Sequence, residues 1–163
     1  MAITSAIANS FKQEILVGTH NFTASSGNTF KIALIKANAS QSGTYNAGTT
    51  NYSVVTGNSD ELANGSGYTT GGNTLVSVTP VLDSNTAVCD FANTSWSSAT
   101  FTTRGCIIYN TSASNKALLT SLRVSAIFIS VIFPWPFSTW RAVFNFSVRF
   151  SNIYANLNTN SNH

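Results

Sequence analysis

Side chains that could carry acid–base or nucleophilic chemistry are few in this chain of 163 residues. It holds two histidines, two cysteines and five carboxylates, with the histidines at positions 20 and 163. Glycoside hydrolysis needs two carboxylates that converge across a cleft, whereas Asp60 and Glu61 are sequence neighbours and would point to opposite faces of a strand. We therefore expect a solvated loop around these two acids, and a turn or interface role for His20 in preference to that of a catalytic base.

Motifs for metal ions and cofactors are absent from the sequence. There is no C-x-x-C or H-x-x-x-H pair, no Walker or G-x-G-x-x-G phosphate loop, and no acidic spacing typical of a calcium loop. We therefore expect that the protein is not an enzyme, and that it needs no cofactor and no metal ion.

The two cysteines, Cys89 and Cys106, are expected to be thiols. The first 18 residues have no basic region followed by a long apolar core, so they do not resemble a secretory signal. Synthesis and folding are then expected in the cytoplasm, where thiols stay reduced. The sequence leaves one alternative open, because a turn at Ser97 and Ser98 would place the two cysteines opposite each other. Trp96, however, is more typical of a strand than of a turn.

Charge is sparse and unevenly distributed. Only 8% of the residues are charged, against about 25% in an average globular domain, and Asn, Ser and Thr together make up 63 residues. All five acids precede residue 91, and five basic residues without any acid follow it. Because those basic residues are spread from position 104 to 149 and not clustered on one short segment, we expect no nucleic-acid partner.

Apolar periodicity predicts one short helix followed by strands. Ile3, Ile7, Phe11 and Ile15 recur at four-residue steps, which predicts a helix over residues 3–17 that ends at Gly18. From residue 28 the period changes to two, and residues 30–35 are predicted to form a strand with one buried face. Further strands are predicted over residues 52–55, 76–78, 86–91 and 101–109.

Turn residues separate these strands and define the fold class. Gly71 and Gly72 supply the positive φ angles of a tight hairpin that would place Tyr68 opposite Leu75, and Pro80 predicts an edge strand or a bulge. Short strands between Gly-, Asn- and Ser-rich turns predict a mainly-β fold. We expect an antiparallel β-sandwich, of the jelly-roll or immunoglobulin-like type, with a short N-terminal α-helix.

The last third of the chain has a different composition. No glycine follows position 105, and six of the eleven phenylalanines lie between residues 128 and 150. Apolar and polar residues alternate over 140–150, which predicts an amphipathic strand. The apolar run over 118–137 is interrupted by Arg123, Pro134 and Pro136, so it is unsuited to a membrane-spanning helix of about 20 apolar residues, and no membrane span is expected.

These patterns divide the chain into three parts. Residues 1–116 are predicted to form the N-terminal helix and the body of the β-sandwich. Residues 117–150 would complete the sandwich or form an assembly interface, and residues 151–163 would form a polar, flexible tail.

Two candidate binding surfaces follow from the apolar residues. An exposed apolar area above a few hundred Å² usually marks an interface, so self-association is predicted. The candidate assembly residues are Ile3, Ile7, Phe11, Phe128, Phe133, Trp135, Trp140, Phe144, Phe146 and Phe150. Aromatic rings in Gly- and Ser-rich segments could instead stack on a sugar, and these candidates are Tyr45, Tyr52, Tyr68 and Trp96. For Trp96 we favour a place in the core over a glycan contact.

Three stretches of the chain carry a resemblance to known proteins. They are Asn28-Thr-Phe-Lys-Ile-Ala-Leu-Ile, Gly65-Ser-Gly-Tyr-Thr-Thr-Gly-Gly-Asn-Thr-Leu and Ala92-Asn-Thr-Ser-Trp-Ser-Ser-Ala-Thr-Phe-Thr-Thr-Arg-Gly-Cys-Ile-Ile-Tyr-Asn. Together they resemble a group of small proteins of tailed phages. The group is abundant in marine phages, and its members are labelled virion structural, decoration or fibre proteins. The resemblance runs from about Ile15 to Lys116 and brings no catalytic residues with it.

The resemblance implies a non-enzymatic virion protein that assembles with itself and with other virion proteins. Two alternatives stay open: a carbohydrate-binding module of a receptor-binding fibre that contacts a host surface glycan, and a self-assembling filament subunit. After Lys116 the chain departs from the group, in which a short strand, an Asp-Phe-Gly-like turn and a final strand are expected. The end of the chain is then either a replaced assembly segment or the product of a shifted reading frame.

Overall fold

The structure is a computed structural model that describes residues 2–37, 42–84, 86–96 and 99–121, and the backbone of three later strands. Within this part of the chain the helices are α1 (Asn9–Leu16) and α2 (Ser53–Gly57). The strands are β1 (Ala6–Ile7), β2 (Phe30–Lys36), β3 (Asn73–Leu75), β4 (Ser77–Asp83), β5 (Thr86–Phe91), β6 (Ser95–Trp96), β7 (Thr103–Asn110), β8 (Lys116–Ser121), β9 (Ile129–Ile132), β10 (Asn145–Ser147) and β11 (Tyr154–Ala155). A 3₁₀ turn spans Thr111–Ala113.

Most of the strands belong to two antiparallel sheets. The first has the order β1-β8-β7-β2-β3 and the second the order β10-β9-β5-β4, while β6 and β11 form a short parallel pair. The chain passes from one sheet to the other at Val76, the single residue between β3 and β4. These observations confirm the predicted mainly-β, sandwich-like fold. Strands β8 and β9, which follow residue 116, pair with β7 and β5 and so contribute to both sheets.

Aromatic rings join the two sheets. Phe22 stacks on Phe30 of β2 with the ring centroids 4.5 Å apart and the planes 5° from parallel. Phe30 in turn contacts Phe91 of β5 at 5.4 Å. All three side chains are buried, so this stack forms the part of the core that lies between the sheets.

Strand β2 is buried on both faces, where the sequence predicted burial on one face. Each residue from Ile32 to Ile35 has no exposed surface, so side chains on both faces of the strand are covered. The second face is covered by the segment around α2. Tyr52 stacks there on Tyr109 of β7, the cross-strand neighbour of Lys31, with the ring centroids 4.2 Å apart.

The N-terminal helix is shorter than its apolar spacing predicts. Residues 2–7 are extended, because β1 pairs with β8 and Ile3 forms a bridge with Tyr45. Sheet hydrogen bonds therefore replace helical ones before α1 begins. The end of the helix was predicted correctly: Gly18 has φ 73°, and the amides of Gly18 and Thr19 donate to the carbonyls of Ile15 and Glu14. This pattern is a Schellman cap, which favours glycine at the left-handed position.

Two other local predictions were wrong. Residues 52–55 were expected to be a strand, but residues 53–57 form α2, which places Val55 in the core. Tyr68 does not pair with Leu75, because Leu75 pairs with Phe30 of β2 and Tyr68 pairs with Gly65. The turn at Gly71 is nevertheless present, since the amide of Gly72 donates to the carbonyl of Thr69 and both glycines have positive φ.

Strand β4 confirms the interpretation of Pro80. In the described part of the chain β4 is the edge of its sheet, and its register with β5 shifts between Val78 and Val81. Proline lacks the backbone N–H that a central strand needs, which is why it is placed at an edge and at a bulge. The predicted strand over residues 140–150 is seen as β10, while its other residues lie outside the described part.

None of the helices in the described residues has the length and hydropathy that would suit a membrane crossing. The two helices are eight and five residues long, whereas about 20 apolar residues are needed to span the hydrocarbon core.

Candidate functional site

The largest exposed apolar residues of the second sheet lie along its edge. We call Val76, Val78, Val81 and Leu82 the β4 edge surface. Their side chains are 66%, 45%, 60% and 74% exposed. The register places Val81 opposite Val88 and Leu82 opposite Ala87, so the surface extends over both faces of the strand. Sequence patterns do not single out these residues, because their alternation with Ser77 and Thr79 is that of an ordinary strand.

The charged residues of β4 and of its partner strand β5 are acidic. Asp83 ends β4 and Asp90 lies opposite Val78, and no Lys or Arg occurs between Lys36 and Arg104. Edge strands are commonly protected from association by lysine, which β4 lacks. Pro80 and the bulge do interrupt its outer hydrogen-bonding groups, so the strand is better suited to side-chain packing than to the addition of a further strand.

The predicted assembly residues at the N-terminus belong to the core of their own chain. Ile3 and Phe11 are 4% and 1% exposed, so their assignment to an assembly interface was wrong. They are covered because β1 and α1 pack against β8. Ile7 is half-buried and packs on the same core. Phe146 lies in β10, and its side chain is outside the described part, as are Phe128, Phe133, Trp135, Trp140, Phe144 and Phe150.

The predicted glycan-binding aromatics are not displayed on the surface. Tyr45, Tyr68 and Trp96 are at most 3% exposed, so their assignment to sugar stacking was wrong. The alternative that we favoured for Trp96, a place in the core, is confirmed: its ring packs on Tyr68 and Phe101. Tyr52 is half-buried, and one face of its ring is covered by Tyr109.

Asp60 lies in the interior, where a solvated loop was expected. It has no exposed surface, and its two carboxylate oxygens accept hydrogen bonds from the Tyr45 hydroxyl at 2.7 Å, the Gly43 amide at 2.6 Å and the Ser42 amide at 2.7 Å. Burial alone would raise the pKa of this carboxyl, but the hydrogen bonds from Tyr45, Ser42 and Gly43 outweigh it and lower the pKa below its usual value. Asp60 therefore ties the segment 42–45 to the end of α2.

Glu61 organises a second group of tyrosines. Its Oε1 accepts hydrogen bonds from the Tyr68 hydroxyl at 2.8 Å and from the Gly71 amide at 2.5 Å, and its Oε2 accepts one from the Tyr52 hydroxyl. Burial, together with the carboxylate of Glu61, raises the pKa of both tyrosines well above the usual value. These phenols are therefore uncharged donors that fix the loop before β3, and they are not acid–base groups at neutral pH.

His20 is a core histidine, where a turn or interface role was expected. Its side chain is fully buried and its Nε2 lies 2.8 Å from Oε2 of Glu14. Its Nδ1 lies 2.9 Å from Nδ2 of Asn110, which also donates to Oδ1 of Asn28 at 2.9 Å. Lys116 donates to Oε1 of Glu14 at 2.6 Å. We call these side chains the His20 network.

Metal and thiol chemistry find little support in the described residues. There, no three His, Cys, Asp or Glu side chains lie close enough to bind a metal ion together. Cys89 and Cys106 are free thiols, so the disulfide that the sequence left open is not formed. Burial raises the pKa of each thiol to about 12, which leaves almost no reactive thiolate at neutral pH.

Comparisons of this chain with protein-family models, with curated proteins and with solved structures find no match.

Proposed function

We propose that this chain is a non-enzymatic structural protein of a tailed-phage virion, and that it acts by binding a second copy of itself and neighbouring virion proteins. The observation that carries the proposal is the β4 edge surface: three apolar residues of β4 and Val76, the residue before it, are all exposed. Apolar side chains exposed along one edge of a sheet favour burial against another protein. The resemblance over residues 15–116 supports the placement in a virion.

A second copy is the partner that this surface suits best. Its four residues are apolar, and in the described residues β4 and its partner strand β5 carry Asp83 and Asp90 but no Lys or Arg. An uncharged contact centre suits permanent packing, because a charge buried without a partner is costly.

Glycan binding is less well supported, because three of the four candidate rings lie in the core. The filament alternative predicts open-ended polymers, whereas the first proposal predicts closed oligomers or copies bound to a particle. The two are distinguished by sedimentation and by electron microscopy of the same sample.

The test of self-association is a pair of matched charge substitutions. Leu82→Lys places a cation in the β4 edge surface, and Val17→Lys places one at the end of α1, where Val17 is 70% exposed, close to the 74% of Leu82. Both variants add one positive charge, and a cation at a helix C-terminus is tolerated. Sedimentation velocity at micromolar concentration should show oligomers for the wild type and for Val17→Lys, and mainly monomers for Leu82→Lys.

Two results would count against the proposal. A wild-type chain that is monomeric throughout the micromolar range would show that the protein does not self-associate. Equal sedimentation of the two lysine variants would show that the β4 edge surface is not the contact between copies. The placement in a virion is tested separately, by mass spectrometry of washed particles of the phage that encodes the chain. Absence of the chain from such particles overturns that part alone.

A further inference from the structure

The hydrogen bonds of the His20 network have only one consistent direction. Oδ1 of Asn28 accepts the backbone N–H of Asn21 at 2.8 Å, so it must also be the acceptor toward Asn110. The group of Asn110 that faces it is therefore the NH₂, and the same NH₂ donates to Nδ1 of His20. Nδ1 carries no proton, and the proton of the neutral imidazole lies on Nε2, from which it is donated to Glu14.

A second proton on His20 has no place in this arrangement. It would lie on Nδ1 and point at the NH₂ group of Asn110, so that two donors would face each other. Rotation of the Asn110 amide would offer its oxygen to Nδ1, but that oxygen would then face Oδ1 of Asn28, an acceptor. In the described part of the chain Asn110 Oδ1 is a buried atom without a hydrogen-bond partner, so the amide already gives up one bond to hold the neutral form.

The other groups around His20 add little that would stabilise a cation. From α1, Glu14 is the one facing carboxylate, and its other oxygen is taken by Lys116 of β8, whose own positive charge opposes a second cation nearby. Three aromatic rings pack around His20, those of Phe11, Phe22 and Phe30, at centroid distances of 5.0, 6.5 and 6.5 Å.

We propose that the Glu14–His20–Asn110 chain of hydrogen bonds is an acid-sensitive latch, which holds α1 against the first sheet while His20 is neutral and releases it when His20 takes up a proton. Glu14 lies on α1, Asn110 ends β7, and Lys116 begins β8. After loss of the His20–Asn110 bond, α1 is still held by the ion pair of Glu14 with Lys116, by the packing of Phe11 and Ile15, and by the backbone bonds of Ala8 and Asn9 at its start, so the release is a weakening of its attachment.

The direction of the pH effect follows from burial. Desolvation lowers the pKa of His20 below its usual value of 6.5, and it outweighs the hydrogen bond and the charge of Glu14, which act in the opposite sense. The released form then binds more protons than the latched form in the range just below pH 6.5. The equilibrium constant for forming the latched state therefore decreases by about tenfold for each unit by which the pH falls, until the lower pKa of the latched form is reached.

The test follows the histidine and the helix in the same samples. His163→Gln leaves His20 as the single histidine of the full-length chain. Long-range proton–nitrogen NMR spectra should show the Nε2–H form at about pH 8. Amide hydrogen exchange, expressed as protection factors, should show the amides of α1 losing protection between about pH 6.5 and about pH 5, by up to about tenfold for each pH unit, while those of β2 and β7 keep theirs.

Two further variants, made in the His163→Gln protein, test whether protonation of His20 causes the loss of protection in α1. His20→Gln cannot titrate, so α1 should keep equal protection at both pH values. Asn110→Asp puts an acceptor opposite Nδ1, although it also removes the hydrogen bond to Oδ1 of Asn28. His20 should then titrate about one pH unit higher or more, and α1 should stay protected in acid. The latch is overturned if α1 protection is unchanged by acid in the wild-type network, or if acid releases α1 equally in His20→Gln. Should His20→Gln fail to fold, an unshifted titration in Asn110→Asp is the overturning result.

Discussion

The hydroxyl group of Tyr45 donates a hydrogen bond of 2.7 Å to Oδ2 of Asp60, and neither side chain has any exposed surface. The segment 42–45 and the turn after α2 are joined at this point. The ammonium group of Lys36 lies 3.9 Å from the other carboxylate oxygen, so it does not substitute for the phenol. A buried carboxylate needs every donor that it has, because water cannot replace one that is removed.

Tyr45→Phe is therefore expected to lower the free energy of unfolding by about 1–3 kcal/mol, the usual cost of a buried polar group that loses its partner. Tyr109→Phe is the matched control. It removes a hydroxyl that donates at 2.8 Å to the carbonyl of the half-buried Gly71. Tyr109 is buried as well, but its partner is an uncharged acceptor, so a smaller loss of about 1 kcal/mol is expected. Urea unfolding followed by circular dichroism measures both, and equal losses would contradict the role of Asp60.

The same contact gives a pH dependence with a definite sign. Because its hydrogen bonds lower the pKa of Asp60 below 3.8 in the folded protein, the ionised carboxylate stabilises the fold above that value. The stabilisation is lost as the pH falls through the folded pKa. The difference in unfolding free energy between wild type and Tyr45→Phe should therefore shrink between about pH 5 and about pH 2.

Other acid-sensitive groups, the His20 network among them, are present in both proteins and cancel in this difference when they are independent of Tyr45. Unfolding curves at a series of pH values provide the test. A difference that stays constant down to the lowest pH would mean that the phenol acts through packing alone.

Gly72 is expected to be the least replaceable glycine of the turn before β3. A Cβ atom there would lie 1.8 Å from the carbonyl oxygen of Ile32, and the residue has φ 69°. Gly18 has a similar φ of 73°, and no atom lies within 4 Å of the position that a Cβ atom would take there. Gly18→Ala should cost about 1–2 kcal/mol for its left-handed backbone, whereas Gly72→Ala adds a backbone overlap and should cost more than about 3 kcal/mol.

Thermal unfolding of the two alanine variants measures this comparison. Similar melting temperatures for both would mean that β3 can move away from β2 at little cost. A Gly72→Ala protein that folds with Leu75 exposed would lead to the same conclusion. Leu75 of β3 pairs with Phe30 of β2, so its exposure would mean that β3 has moved away from β2.

Local patterns predicted those parts of the fold that depend on a strand's own residues. The strands predicted over 30–35, 86–91 and 101–109 correspond to β2, β5 and β7, and Pro80 correctly indicated an edge and a bulge. The apolar spacing that suggested a longer helix failed before Asn9, because long-range pairing with β8 satisfies the backbone of those residues instead. The spacing of apolar residues in a segment contains no information about a partner strand that lies more than a hundred residues away.

The polar interior could not be predicted for the same reason. Glu14 and His20 are six positions apart and meet only because a Schellman cap reverses the chain at Gly18. Asn110, which lies ninety positions further on, completes the network through the register of β2 with β7. Asn110 is one of 19 asparagines in the sequence, and the residues next to it in the chain do not indicate that it is buried.

The cysteines provide the last prediction, since their strands belong to different sheets. Cys89 lies in β5 and Cys106 in β7, both are buried, and burial raises the pKa of each thiol to about 12. Little thiolate is then present at neutral pH, and a bulky disulfide reagent cannot reach the sulfur. Ellman's reagent should release almost no chromophore from the folded protein and an amount equal to both thiols after unfolding in guanidinium. Cys106→Ala should halve the second value without changing the first. Fast release from the folded wild type would place one thiol at the surface, and a missing thiol in unreduced, unfolded protein would reveal a disulfide.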